Sequence, residues 1–303
     1  MASTDPSLLA RIFSPGPTRD NHPAGGATGK AGRNLPQAIT TAVVLIVAVA
    51  VPLFTSLPAF VCVIGFVCLV GIWELAGAFA RMGITLTVTP LYVGAIGMIT
   101  CAWWLGSEGT LFALYITVFV CAAWRLLDRR QESRMSDVVS STFTAVYVPF
   151  LASFVVLMLA AWRNPWVFVV FELMVIANDT GGWAAGVLFG KHPMAPALSP
   201  KKSWEGFAGS AATAVGVGCV GLWLLGAAWW WGIVAGVSIA FVGTMGDLTE
   251  SLIKRESGLK DMSHILPGHG GVLDRVDALL MSAPVAYFIF AWALPGISWE
   301  SSH

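Results

Sequence analysis

Apolar runs of about twenty residues recur along almost the whole chain, separated by short polar loops. Of the 303 residues, 56% are hydrophobic and only 11% are charged, with a mean hydropathy of +0.75. Average soluble domains are about 25% charged, so this chain cannot cover a water-facing surface. The composition excludes a soluble globular protein, a disordered chain and a basic nucleic-acid-binding domain. Formal net charge is +0, so charge informs only through its placement.

Nine spans are expected, at roughly 38–54, 59–79, 87–105, 109–127, 143–162, 165–188, 208–226, 228–247 and 278–296. They should be helical, because a bilayer offers no partner to unpaired backbone. A β-barrel would alternate apolar and polar residues, and the run Ala42–Val47 does not. The fold class is thus an all-α polytopic membrane protein. Residues 1–35, rich in Pro and Gly, read as a flexible cytosolic tail without a cleavable signal, and the first span as an uncleaved anchor. Residues 36–300 form a single transmembrane catalytic domain. Placing the N-terminus in the cytosol and the C-terminus outside puts every Lys and Arg except Arg163 on the inner side, sixteen of seventeen. Trp103, Trp104, Trp162, Trp166 and Trp229–Trp231 then fall at outer ends, where aromatic belts sit. The five cysteines lie in apolar runs without a CxxC pair and read as buried hydrophobes. No internal repeat supports an inverted-repeat transporter.

The polar residues gather in the inner loops. In 243–255, a continuing helix would put Asp247, Glu250, Ser251 and Lys254 on one face. Gly243 and Gly246 leave room beside Asp247 for a neighbouring helix or a ligand. Pro267, Gly268, His269, Gly270 and Gly271 form a loop whose amides can approach an anion, followed by a helix start carrying Asp274, Arg275 and Asp277. Paired carboxylates beside such a loop suit Mg²⁺ bridging to phosphate oxygens; a plain turn and N-terminal capping charge are the simpler alternatives. Glu172 and Asp179 share a face of the sixth span, and Glu74 lies in the second; acids there are expensive and usually functional, although Glu74 and Glu172 also fit packing roles. Lys191, Ser199, Lys201, Lys202 and Ser203 form a second inner cluster suited to a triphosphate or to anionic headgroups, and Lys260–Asp261 lie in the last loop.

One cytosolic cluster of acids, lysines and glycines at a membrane boundary suits a reaction between a soluble polyphosphate and a phospholipid. Such transfer needs positioning and charge neutralisation more than covalent help. There is no Walker-type phosphate loop.

Ser251, Lys254, Arg255, Lys260, Asp261 and the run Leu266–Asp277 together resemble the signature of the phosphatidate cytidylyltransferase family, also called CDP-diacylglycerol synthases. Asn178–Thr180, Gly190–His192 and Ser199–Gly206 are similar to further motifs of that family. The resemblance spans roughly 165–296, with the signature in 243–277; Gly182–Trp183 stands where many relatives have Ala-Tyr. It implies CTP and phosphatidate as substrates, CDP-diacylglycerol and pyrophosphate as products, Mg²⁺, a second, monovalent cation, and a homodimer in the membrane. It implies Asp247 and Asp274 as metal holders with Asp277 and Asp179 in support. Lys201, Lys202, Lys254, Arg255 and Lys260 would meet the phosphates, with His269, Gly270 and Gly271 shaping the loop. The competing classes are a CTP-dependent lipid-alcohol kinase and an ion transporter using Glu74, Glu172 and Asp179 as a relay.

Overall fold

The computed structural model describes residues 35–128, 135–196, 198–266 and 269–295. The expected flexible tail, the inner-loop Arg129, Arg130 and Arg134, the pair Pro267–Gly268 and the external C-terminus from 296 lie outside the described residues.

The chain is helical almost throughout: α1 (Leu35–Thr55), α2 (Leu57–Arg81), α3 (Val88–Trp104), α4 (Gly106–Leu127), α5 (Met135–Ala145), α6 (Leu151–Trp162), α7 (Pro165–Phe189), α8 (Trp204–Leu224), α9 (Trp231–Glu256) and α10 (Leu273–Ala293). A two-stranded antiparallel hairpin, β1 (Pro193–Ala195) with β2 (Ser199–Ser203), sits between α7 and α8 and pairs Pro193 with Ser203. Among the described residues, seven helical segments are long and apolar enough to cross a membrane, with Met135–Trp162 counted as one, and two shorter apolar helices are Ile39–Thr55 and Val88–Trp104.

Every expected span coincides with a helix, but three helices outrun their apolar stretch. α9 continues past 247 to Glu256, α10 begins at Leu273, and the fifth span starts at Met135. Hydropathy marks the oily length; the helix goes on until capping or loop geometry stops it. A π-turn, Val146–Phe150, joins α5 to α6 and contains Pro149. Proline has no N–H to give and its ring crowds the preceding turn, so the ladder widens there.

Local chemistry sets the starts. Asn164 caps α7 by accepting from the Trp166 amide, with Pro165 as the first helical residue. Ser203 caps α8 by accepting from the Gly206 amide at 3.1 Å. α8 is gripped between α7 and α9 by small residues. A Cβ at Gly209 would stand 2.7 Å from the Gly181 carbonyl, and one at Gly236 2.5 Å from the Val215 backbone. Lipid gives helices no hydrophobic reason to associate, so close backbone packing supplies much of the adhesion.

Candidate active site

Three glycines decide how α9 meets α10 and the loop before it. A Cβ at Gly246 would lie 2.8 Å from the Asp277 carbonyl, so the two backbones almost touch there. The room beside Asp247 is therefore filled by α10, and the next residue along α9 is carried against Asp277. In the loop, Gly270 has φ +84, and its amide and carbonyl both pair with Leu266. A Cβ at Gly271 would stand 2.6 Å from Glu74 Oε1 and 3.0 Å from Asp274 Oδ2. Only glycine lets the loop close between those two carboxylates.

Glu74 is fully buried. Its Oε1 accepts from the Val272 amide at 2.8 Å and from the Ser263 hydroxyl at 2.5 Å; its Oε2 accepts from the Leu273 amide at 2.7 Å. A side chain from α2 thus satisfies orphan amides at the start of α10, where the helix dipole also favours an anion. This is the packing role that the sequence allowed for Glu74.

Asp274 divides its oxygens between the loop and α9. Oδ2 accepts from the Met262 and Gly271 amides at 2.8 Å each, and Oδ1 meets the Lys254 ammonium at 2.8 Å. Lys254 also reaches Glu250 Oε2 at 2.5 Å. Glu250 and Asp247 both lie close enough to Asp277 for their charges to act on it, and Asp247 pairs with Lys202. The result is a chain of charged groups: Asp274, Lys254, Glu250, Asp277, Asp247, Lys202. Asp247 and Asp274 do not touch; they belong to one network through three intermediates.

Asp247 opens onto a cavity of about 260 Å³ between α7, α8, α9 and the hairpin. Asn178, Asp179, Trp183, Lys201, Lys202, Ser203 and Thr244 also line it. Asn178 donates to Asp179 Oδ1 at 2.9 Å, and the Ser210 hydroxyl donates to the Asn178 carbonyl at 2.7 Å. Two lysines and two aspartates therefore face one space, with an aromatic wall.

The remaining expected residues spread around this centre. Lys191 is exposed, and its amide donates to Glu205 Oε2 at 3.1 Å. Ser199 serves as a strand residue opposite Ala195. Arg255 is exposed and leans its Nε toward the Leu198 carbonyl at 3.4 Å, tying α9 to the hairpin. Arg275 Nε donates to the His269 carbonyl at 2.9 Å, and its charge acts on Asp179. Asp261 lies against Gly270. Lys260 is exposed on the last loop and does not line the cavity. Glu250 was not among the expected site residues; its position three residues after Asp247 on the same helix face was the available signal.

The donor set can be tested against a metal. Among the described residues, no three His, Cys, Asp or Glu side chains are gathered as a metal site. Asp247 and Asp277 are nevertheless neighbours where Gly246 lets α9 approach the Asp277 backbone, and Lys202 pairs with Asp247. Two carboxylates that leave the other positions to substrate phosphates and water match the habit of Mg²⁺. Asp274, with both oxygens engaged, is organised to hold the loop.

Apolar helices surrounding a cavity lined by lysines and carboxylates make this an integral membrane protein with a polar centre fit for anionic reactants. Its family follows from comparison: residues 36–293 match the family model described as "Cytidylyltransferase family", and the chain belongs to that family. It is similar to the phosphatidate cytidylyltransferase of Mycobacterium bovis, 37% identical over 277 residues, covering 86% of this chain and 90% of the relative. The protein of the same name from Mycobacterium leprae is 34% identical over 305 residues, covering 95% and 98%. That from Haemophilus influenzae is 43% identical over 125 residues, covering 39% and 43%.

Proposed function

We propose that the protein transfers the cytidylyl group of CTP to phosphatidate, giving CDP-diacylglycerol and pyrophosphate, at the cytosolic face of a bacterial plasma membrane. The observation that carries this reading is the convergence of Asp179, Lys201, Lys202 and Asp247, from separate elements, at one cavity, with Asp277 behind Asp247, in a member of the cytidylyltransferase family. Nine spans with the N-terminus inside and the C-terminus outside are part of it. The seven long and two shorter apolar helices support that count, and the inner placement of the basic residues supports the orientation.

The reaction joins two polyanions, so repulsion is the first barrier. At ~4 Å, two unit charges in an intermediate dielectric repel by about 4 kcal/mol. Lys201 and Lys202 would offset this from the cavity wall. Asp247 and Asp277 would hold Mg²⁺, which would supply charge neutralisation on the phosphate oxygens. A phosphatidate oxygen attacks the α-phosphorus of CTP, the α–β P–O bond breaks, and pyrophosphate leaves with the bonding pair. Asp274, Lys254 and Glu74 keep the loop and the first turn of α10 in place, so that Asp277 stays on Asp247. A monovalent second cation and a homodimer remain parts of this proposal that rest on the family resemblance.

Purified protein given CTP labelled at the cytidine and at the γ-phosphate, Mg²⁺ and phosphatidate in mixed micelles should release pyrophosphate and place the cytidine label in lipid. Asp277→Asn should abolish the transfer while the helical content stays. Transfer of the γ-label to a lipid alcohol would establish the kinase instead. Ion flux in sealed vesicles without CTP would establish the transporter.

A further inference from the structure

The hairpin that carries Lys201 and Lys202 has little of its own to hold it. Its strands, Pro193–Ala195 and Ser199–Ser203, are three and five residues long, and their register is irregular between Pro193 and Ala195. An isolated two-stranded hairpin is marginal in water. Pro193 also has no N–H to give to the opposite strand. Yet the second strand is kept at the cavity: Lys201, Lys202 and Ser203 all line it, and Lys202 pairs with Asp247.

The missing restraint comes from Glu205, in the first turn of α8. Its Oε2 accepts from the Lys191 amide at 3.1 Å and from the His192 amide at 3.2 Å. Its Oε1 lies 2.6 Å from His192 Nδ1. Across the same gap the Trp204 amide donates to the His192 carbonyl at 3.0 Å. An acid in a first turn commonly serves only the helix dipole. This one, just after the hairpin, reaches back to the two residues just before it, where proline leaves the ladder short of a donor. Gly190 lets the two ends close up, since a Cβ there would stand 2.9 Å from Ser203 Oγ. Hydrogen bonds to an ionised acceptor are the strong ones, and three on one side chain fix position and direction together.

We infer that Glu205 is a positioning residue for the cytidylyl transfer proposed above: it ties the root of the hairpin and so keeps Lys201 and Lys202 turned to the cavity. The far end is tethered more weakly, by the Arg255 contact to the Leu198 carbonyl at 3.4 Å. With the root released, β2 can pivot about Ser203, whose hydroxyl stays on the Gly206 amide as the cap of α8. Lys202 then leaves Asp247, and the triphosphate loses positive charge beside it. The role in transfer rests on the transferase reading; the restraint of Lys202 does not.

The test is Glu205→Ala and Glu205→Gln in the full-length protein, in the same micelles. Acetylation of Lys202 by a water-soluble N-hydroxysuccinimide ester, read by peptide mass spectrometry against the exposed Lys260, needs no CTP. In Glu205→Ala it should quicken on the order of tenfold. Glu205→Gln should fall between, since one carbonyl acceptor remains. The KM for CTP should rise about tenfold in Glu205→Ala, because the lysines meet the triphosphate before the chemical step; kcat and the thermal midpoint should change little. His192→Ala should give a smaller change of the same kind, as both backbone amides still bind, and should add nothing in the Glu205→Ala background. Unchanged Lys202 reactivity in Glu205→Ala would overturn the restraint and the inference with it. Faster acetylation with an unchanged KM in an active enzyme would overturn the role in transfer, and so would matched losses of kcat and midpoint at constant KM. An inactive wild type whose Lys202 is still freed by Glu205→Ala would refute the transferase reading and leave the restraint standing.

Discussion

Replacing Lys254 by Met keeps the length of the side chain and deletes its charge. The ammonium stands 2.5 Å from Glu250 Oε2 and 2.8 Å from Asp274 Oδ1, and the three side chains are 16%, 3% and 5% exposed. At an effective dielectric of about 20, each attraction is on the order of 6 kcal/mol before desolvation is counted. Removing the charged partner of a buried pair has a net effect of about 3–5 kcal/mol, because the opposite charges stay behind unpaired. Here two carboxylates would be left facing one another. Asp274 would then pull away from the Met262 and Gly271 amides, and Glu250 from Asp277. Thermal unfolding followed by circular dichroism should show a midpoint lowered by on the order of 10 °C, and cytidylyl transfer should fall below detection. Adding Glu250→Gln should restore part of the midpoint, because the remaining repulsion is relieved. A Lys254→Met protein with the wild-type midpoint and wild-type rate would refute the idea that this lysine ties the network together.

Two more substitutions probe the frame. Glu74→Gln should lower the thermal midpoint and raise amide hydrogen exchange at the start of α10, since its NH₂ would face a backbone N–H; the loss is about 1–3 kcal/mol. Gly246→Leu should cut transfer far more than stability. Its side chain meets the Asp277 backbone at 2.8 Å, so α9 and α10 must part, at about 1–3 kcal/mol of overpacking; unchanged kinetics would argue against close approach there.

Asp247 and Asp277 stand out in the sequence for a physical reason. Charged groups at the edge of an oily span are too costly to be idle. The glycine-rich run before Asp274 was legible as a tight loop, because so many glycines in a row serve few other purposes. What it wraps was not legible: it closes on Glu74, a residue nearly two hundred positions away. Asp274 is a metal holder by the family resemblance, and its hydrogen-bond partners, Met262, Gly271 and Lys254, come from a loop and a neighbouring helix that spacing on α10 does not report. The β hairpin at 193–203 passed as plain loop because its two strands are too short to show a period.

Hydropathy alone marks the oily stretches, their helical form and the end of each that gathers charge, since those follow from a solvent that cannot hydrogen-bond. Periodicity adds which side chains share a helix face. Neither says which helix lies beside which. The packing of α9 on α10 at Gly246, and of α7 on α8 at Gly181, turns four separate motifs into one charged network. Such contacts join residues far apart along the chain, through backbone approaches measured in tenths of an ångström, and local sequence carries no record of them.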